Sequence, residues 1–229
     1  MTSRKQTRRD VTISNIKGRT GSVSGILVRP ADAVAILVLA HGAGAGMDHP
    51  FMSDLATTLG EVGIATLRFQ FPYWEDGAKR PDNAKLATAT VAAAIQWALE
   101  RVSDLPLFAG GKSFGGRMTT TAASLGMIES VKGLVCYGFP LHQAGKPSVD
   151  RAAHLKDVKV PILFLQGTRD ALADLSLMRE VARALPLAKM HVVQGADHGF
   201  AVLKSSGRSN AEVIPELARE TLTFCQLPG

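Results

Sequence analysis

A chain of 229 residues, 46% hydrophobic and 20% charged, has enough apolar surface to fold as a single α/β domain, which excludes a largely disordered polypeptide. Its 26 Lys and Arg outnumber 20 Asp and Glu, but Arg4, Lys5, Arg8 and Arg9 fall in the first nine positions, so the remainder is too mildly basic for a protein built around a nucleic-acid groove. Two cysteines exclude a disulfide scaffold, and no apolar run approaches the ~20 residues of a membrane helix.

The first ten residues, MTSRKQTRRD, carry charge with no apolar stretch behind it, so they are expected to form a flexible basic leader and not a secretory signal. The expected location is the cytoplasm. Strands are expected at residues 11–16 and 25–28, with Lys17-Gly18-Arg19-Thr20-Gly21 as the turn between them. VAILVLA, at 34–40, is a continuous apolar run of strand length, as a strand covered on both faces requires, and it ends in HGAGAG. A helix at 50–59 stopped by Gly60 precedes a strand at 64–71.

The alanine-rich segment from Asp82 to Arg101 is the clearest helix, with Leu86, Val91, Ile95 and Leu99 near the helical repeat. A strand at 105–110 runs into a helix at 117–125, and further buried strands are expected at 131–139 and 161–166. A helix at 175–185, a strand at 188–193 and a helix at 211–224 complete the pattern. Alternating β and α units with short connections predict a mostly parallel sheet with helices on both faces, and in such sheets ligands gather at the carboxyl ends of the strands.

Gly111-Lys112-Ser113-Phe114-Gly115 is a G-x-S-x-G pentapeptide placed between an apolar strand and a helix. A nucleophilic serine must stand clear of the sheet on a tight strained turn, where side chains two residues to either side would collide, and glycine relieves both. Taken alone, the pentapeptide is also an ordinary glycine-rich turn. Gly111-Lys112-Ser113 matches the tail of a phosphate-binding loop as well, but that loop needs glycine where Pro106 stands, so the nucleotide alternative fails.

A nucleophilic serine needs a base, and the base an orienting acid. Asp170 follows the strand PILFLQ and His198 follows AKMHVV, so Ser113, Asp170 and His198 each lie just beyond the carboxyl end of a different strand. Asp174 is a substitute acid, and Asp170 alone reads equally as a turn or capping residue. His49 and His142 lie on loops that reach the mouth as substrate contacts, whereas His191 lies within a strand and His154 in a segment before one. The amide of Phe114, at a helix N-terminus, and that of Ala43, in HGAGAG, are the expected donors to an oxyanion.

HGAGAG, GKSFGG, GTRD and GADHGF together resemble the serial motifs of the α/β-hydrolase fold, over about residues 11–224. PLHQAGKP, HLKDVKVPILFLQGTRD and RFQFPYWEDGAKRPD more narrowly resemble a small dienelactone-hydrolase-related group that includes the hydrolase-like domains of the testis-expressed Tex30 protein and of a KAT8 regulatory complex subunit. The resemblance implies an eight-stranded, mostly parallel sheet with nucleophile Ser113, acid Asp170 and base His198. Dienelactone hydrolases proper use a cysteine nucleophile, so lactone specificity is not carried over.

The expected activity is serine-dependent hydrolysis of a small carboxylic ester or thioester through an acyl-enzyme, with no metal or organic cofactor and no nucleic-acid or membrane partner. The alternative is a binding or scaffold module that keeps the fold without turnover. About twenty residues separate the strands ending near Phe139 and starting near Pro161, too few for a large lid. Candidate pocket walls are Phe71, Tyr73, Trp74, Phe114, Phe139 and His142, each equally suited to core packing. Lys112, Arg80 and Lys146 suit an anionic substrate, although exposed basic residues usually do nothing specific.

Overall fold

The apolar runs become strands of one sheet. The computed structural model describes residues 5–14, 16 and 21–226. In chain order the elements are β1 (Gln6–Ser14), β2 (Ser22–Pro30), β3 (Ala35–Ala40), α1 (Pro50–Glu61), β4 (Ile64–Phe69), α2 (Pro72–Glu75), α3 (Ala84–Arg101), β5 (Leu107–Lys112), α4 (Phe114–Ser124), β6 (Leu134–Tyr137), β7 (Ile162–Gly167), α5 (Leu175–Arg183), β8 (Ala188–Val193) and α6 (Asn210–Cys225), with 3₁₀ segments at Asp150–Asp157 and Lys204–Ser206. The strands lie in the order β1-β2-β4-β3-β5-β6-β7-β8. β1 and β2 pair antiparallel, β2 meets β4 antiparallel, and β3 to β8 are parallel.

Strand side chains alternate between two cores. Ile36, Val38 and Ala40 of β3 point to the face covered by α3, α4 and α5, where they belong to one core with Val91, Met118 and Met178. Ala35, Leu37 and Leu39 point to the opposite face, with Leu55 and Leu59 of α1 and Leu217 of α6. Every residue of β3, β6 and β7 is buried, which is why these strands read as unbroken apolar runs and not as alternating ones.

Half of the expected leader is a strand. Residues 6–10 belong to β1, in register from Gln6 opposite Pro30 to Ser14 opposite Ser22. They escaped a hydrophobic pattern because β1 is an edge strand with mostly exposed side chains, where charge discourages pairing with a further strand. The first four residues, and the expected turn at 17–21 apart from Gly21, lie outside the described residues. Helix α1 passes through Gly60 to Glu61; a Cβ at Gly60 would lie 2.7 Å from the Gln6 side chain, so the glycine accommodates β1 and does not end the helix. β4 ends two residues early because Pro72 opens α2, a helix too short to show a periodic pattern.

Among the described residues, no lid covers the carboxyl ends of the strands. Between β6 and β7 the chain forms only the 3₁₀ segment Asp150–Asp157 and loops. Among the described residues, no helix is long and apolar enough to cross a membrane.

Candidate active site

Ser113 occupies the turn between β5 and α4 with φ 51° and ψ −113°. A side chain other than glycine in this region costs roughly 1–3 kcal/mol and persists only where its surroundings over-determine it. Here its N–H donates to Tyr137 O at 3.1 Å, and its carbonyl accepts from Arg117 N–H at 3.0 Å. The flanking glycines let β3 come close: a Cβ at Gly111 would lie 2.5 Å from Ala40 O, and one at Gly115 would overlap the same oxygen.

His198 lies in the loop after β8. Its Nε2 is 2.9 Å from Ser113 Oγ, and its Nδ1 is 2.8 Å from Asp170 Oδ2. An ionised carboxylate only accepts, so Nδ1–H donates to Asp170 and Nε2 is left to accept the serine proton. The Asp170 side chain is wholly buried, while that of His198 is 25% exposed. Two further donors hold the carboxylate: Gln166 Nε2 to Oδ2 at 2.6 Å and Leu172 N–H to Oδ1 at 2.8 Å. Three stretches separated by up to 85 positions thus meet in one hydrogen-bonded chain.

The glycine-rich loop after β3 is anchored from below by His41, which is fully buried. His41 Nε2 accepts from Phe71 N–H at 3.1 Å, so Nδ1 carries the proton and donates to Gly42 O at 2.8 Å. Burial lowers the His41 pKa to about 4 and keeps the ring neutral. Tyr73 Oη donates to the same Gly42 oxygen at 3.4 Å. In a trans peptide the following N–H points opposite to the carbonyl, so fixing Gly42 C=O also fixes the direction of Ala43 N–H. Ala43 is exposed, and among the described residues its N–H has no hydrogen-bond acceptor. Phe114 opens α4, where an N–H has no intrahelical acceptor.

The expected pocket walls separate into two groups. Trp74 and Phe114 keep part of their surface exposed. Phe71 and Tyr73 are buried beneath the glycine-rich loop, with Phe71 4.9 Å from the His41 ring and 5.2 Å from that of Phe114, centroid to centroid. Four expectations are corrected: Phe71 and Tyr73 lie in the core beneath that loop, and the remaining two also turn inward. Phe139 packs into the core against Phe164. His142 is buried with both nitrogens committed, Nδ1–H to Gln143 O at 2.8 Å and Nε2 accepting from Asp174 N–H at 2.7 Å, so its ring clamps a loop and presents no polar atom.

The other candidates have structural duties. Asp174 caps α5, accepting from the Ser176 hydroxyl and from Leu177 and Ser176 N–H, bonds that hold its carboxyl below the usual range. His49 caps α1, His191 pairs with Glu216 at 2.7 Å, and His154 bonds Thr120 at 2.8 Å. Lys112 does not face outward toward a substrate: its Nζ donates to His198 O at 2.5 Å. His41, Gln166 and this use of Lys112 went unassigned from sequence, although the histidine opening HGAGAG and the glutamine ending PILFLQ stand at strand ends where such contacts form.

A family model described as an alpha/beta hydrolase domain matches residues 33–226. Among solved structures, a dienelactone hydrolase from Anabaena variabilis superposes with a TM-score of 0.76 at 21% identity, over 95% of this chain and 98% of its own. A homologue of α/β serine hydrolases from Coxiella burnetii gives 0.73 at 22%, over 93% and 96%. A Xanthomonas campestris protein, described as an α/β serine hydrolase without lid, gives 0.72 at 18%, over 97% of both chains. At these identities the likeness speaks for the fold.

Proposed function

The chain belongs to the α/β-hydrolase family, and from that premise we propose that it is a serine hydrolase cleaving small carboxylic esters or thioesters through an acyl-enzyme. The observation that carries this reading is the continuous hydrogen-bonded path from Ser113 Oγ through His198 to Asp170. His198 Nε2 takes the serine proton as Oγ attacks the acyl carbonyl, while Asp170 stabilises the imidazolium that forms. The oxyanion is held by the N–H groups of Ala43 and Phe114; loss of one such donor typically costs ~3 kcal/mol. The imidazolium then gives its proton to the departing alcohol or thiol. Water, deprotonated by His198, attacks the acyl-Ser113 ester and releases the acid. No step in this sequence requires a metal or organic cofactor.

Trp74 and Phe114 would flank the acyl group, and the absence of a lid favours short or flexible acyl chains. The reading includes a cytoplasmic setting, which suits the two free thiols of Cys136 and Cys225. A panel of p-nitrophenyl esters graded from acetate to long-chain acyl groups tests the proposal. Short esters are expected to be hydrolysed fastest, with no turnover by Ser113→Ala; equal rates for the native protein and this variant would refute it.

A further inference from the structure

Lys112 stands between Gly111 and Ser113, yet its side chain takes no part in the steps above. Its ammonium turns to the loop that carries the base, and Nζ donates to the His198 carbonyl oxygen at 2.5 Å. The rings of Phe51, on α1, and Phe200, two residues beyond His198, stack with centroids 5.6 Å apart. The ammonium lies over both, 5.8 Å from the Phe51 centroid and 5.3 Å from that of Phe200. Aromatic faces attract a cation, so α1 and the base loop together form a seat for this charge. Gly138 clears the remaining side: a Cβ there would lie 3.0 Å from Nζ and 3.6 Å from both Asp170 Oδ2 and His198 Cε1.

The backbone bonds of residues 197–201 are otherwise local. Asp197 N–H donates to Ala201 O and Phe200 N–H donates to Asp197 O, both at 3.0 Å. Phe200 also sits at φ 65°, a conformation that a bulky residue adopts only under constraint. Beside the His198 ring itself, which bonds Ser113 Oγ and Asp170 Oδ2, Lys112 therefore ties the backbone of this turn to the end of the strand that leads into the serine.

We propose that Lys112 is a positioning residue, a latch that holds the His198 loop against the nucleophile turn and so sets the distance between imidazole and Ser113 Oγ. The proposal rests on the catalytic reading of that pair. It carries a pH dependence. The groups facing the ammonium are the carboxylates of Asp170 and Asp197, the His198 peptide and ring, and the rings of Phe51 and Phe200. Burial lowers the Lys112 pKa to about 8, with the two carboxylates opposing the shift. Deprotonation removes the charge from the aromatic seat and weakens the bond to His198 O, so the latch loosens as pH rises through that value.

The test compares the full-length protein with Lys112→Met, which keeps the stem and loses the charge, and Lys112→Arg, which stays charged at alkaline pH. Amide hydrogen exchange of a peptide spanning residues 195–202 is expected to quicken roughly tenfold or more in Lys112→Met, with β8 unchanged. For p-nitrophenyl acetate, kcat is expected to fall roughly 10- to 100-fold with KM little altered. The native alkaline limb near pH 8 should vanish in Lys112→Met and move to higher pH in Lys112→Arg. If the Met variant does not fold, the protection of the same peptide in the native protein, corrected for intrinsic rate, must drop across pH 8. Unchanged exchange in a folded Met variant, or flat native protection across pH 8 where that variant does not fold, overturns the latch. Native protein that hydrolyses no ester but shows the exchange change removes the catalytic reading and leaves the latch standing.

Discussion

Gln166 Nε2 donates to Asp170 Oδ2, the same oxygen that receives the Nδ1–H of His198. The amide thus helps to fix the carboxylate that holds the His198 ring, from the end of β7, where the backbone is pinned in the sheet. Replacing it with a group of similar size that cannot donate leaves the buried carboxylate with one bond fewer, a loss of roughly 1.5–3 kcal/mol for a charge-assisted bond. Gln166→Leu is expected to lower kcat/KM roughly 10- to 100-fold with little change in KM, as steady-state kinetics would reveal. Native kinetics in a folded variant would show that Asp170 needs no support from Gln166.

His41 links pH to stability. Its folded pKa, about 4, lies below the ordinary 6.5, so between these values the unfolded chain binds more protons than the folded one. Stability therefore rises with pH through this window and is lost as pH falls from 6.5 toward 4. The shift corresponds to roughly 3 kcal/mol at most. Thermal melts at pH 7 and pH 4.5 should show a smaller loss for His41→Asn than for the native protein, even though the variant starts from a lower Tm. An equal loss would place the acid sensitivity elsewhere.

The same substitution bears on catalysis. His41→Asn frees the Gly42 carbonyl from one of its two donors and lets the Ala43 amide wander. Because an oxyanion donor acts mainly in the transition state, kcat is expected to fall roughly tenfold or more while KM holds. A rise in KM alone would assign the loop to substrate binding.

Ser113 holds a backbone conformation that glycine adopts freely. Ser113→Gly is expected to abolish turnover and to stabilise the fold by about 1 kcal/mol, or about 2–4 °C in Tm for a chain of this size. Ser113→Ala should abolish turnover without that gain. Equal melting temperatures for the two variants would mean that the turn stores no strain.

The central parallel strands are legible because both faces are buried, so VAILVLA and PILFLQ appear as apolar runs. β1 is not, because an edge strand with solvent on its side chains satisfies its backbone without a hydrophobic pattern. Ser113, Asp170 and His198 can be selected from sequence because each follows the carboxyl end of a strand, and parallel strands bring such ends to one rim. What a loop side chain faces is not local information. His142 and Phe139 lie near the mouth in sequence yet turn inward, and Asp174, four residues from Asp170, is consumed in capping α5. Lys112 reads as a surface cation until the fold carries Phe51 and Phe200 around it.

The most direct test is covalent. A fluorophosphonate reacts only with a serine whose hydroxyl is activated and whose developing oxyanion is held. The account predicts that the native protein gains one phosphonyl group, mapped by peptide mass to Ser113, that Ser113→Ala gains none, and that His198→Ala reacts far more slowly. A native protein that stays unmodified, or that carries the label on another residue, would contradict it.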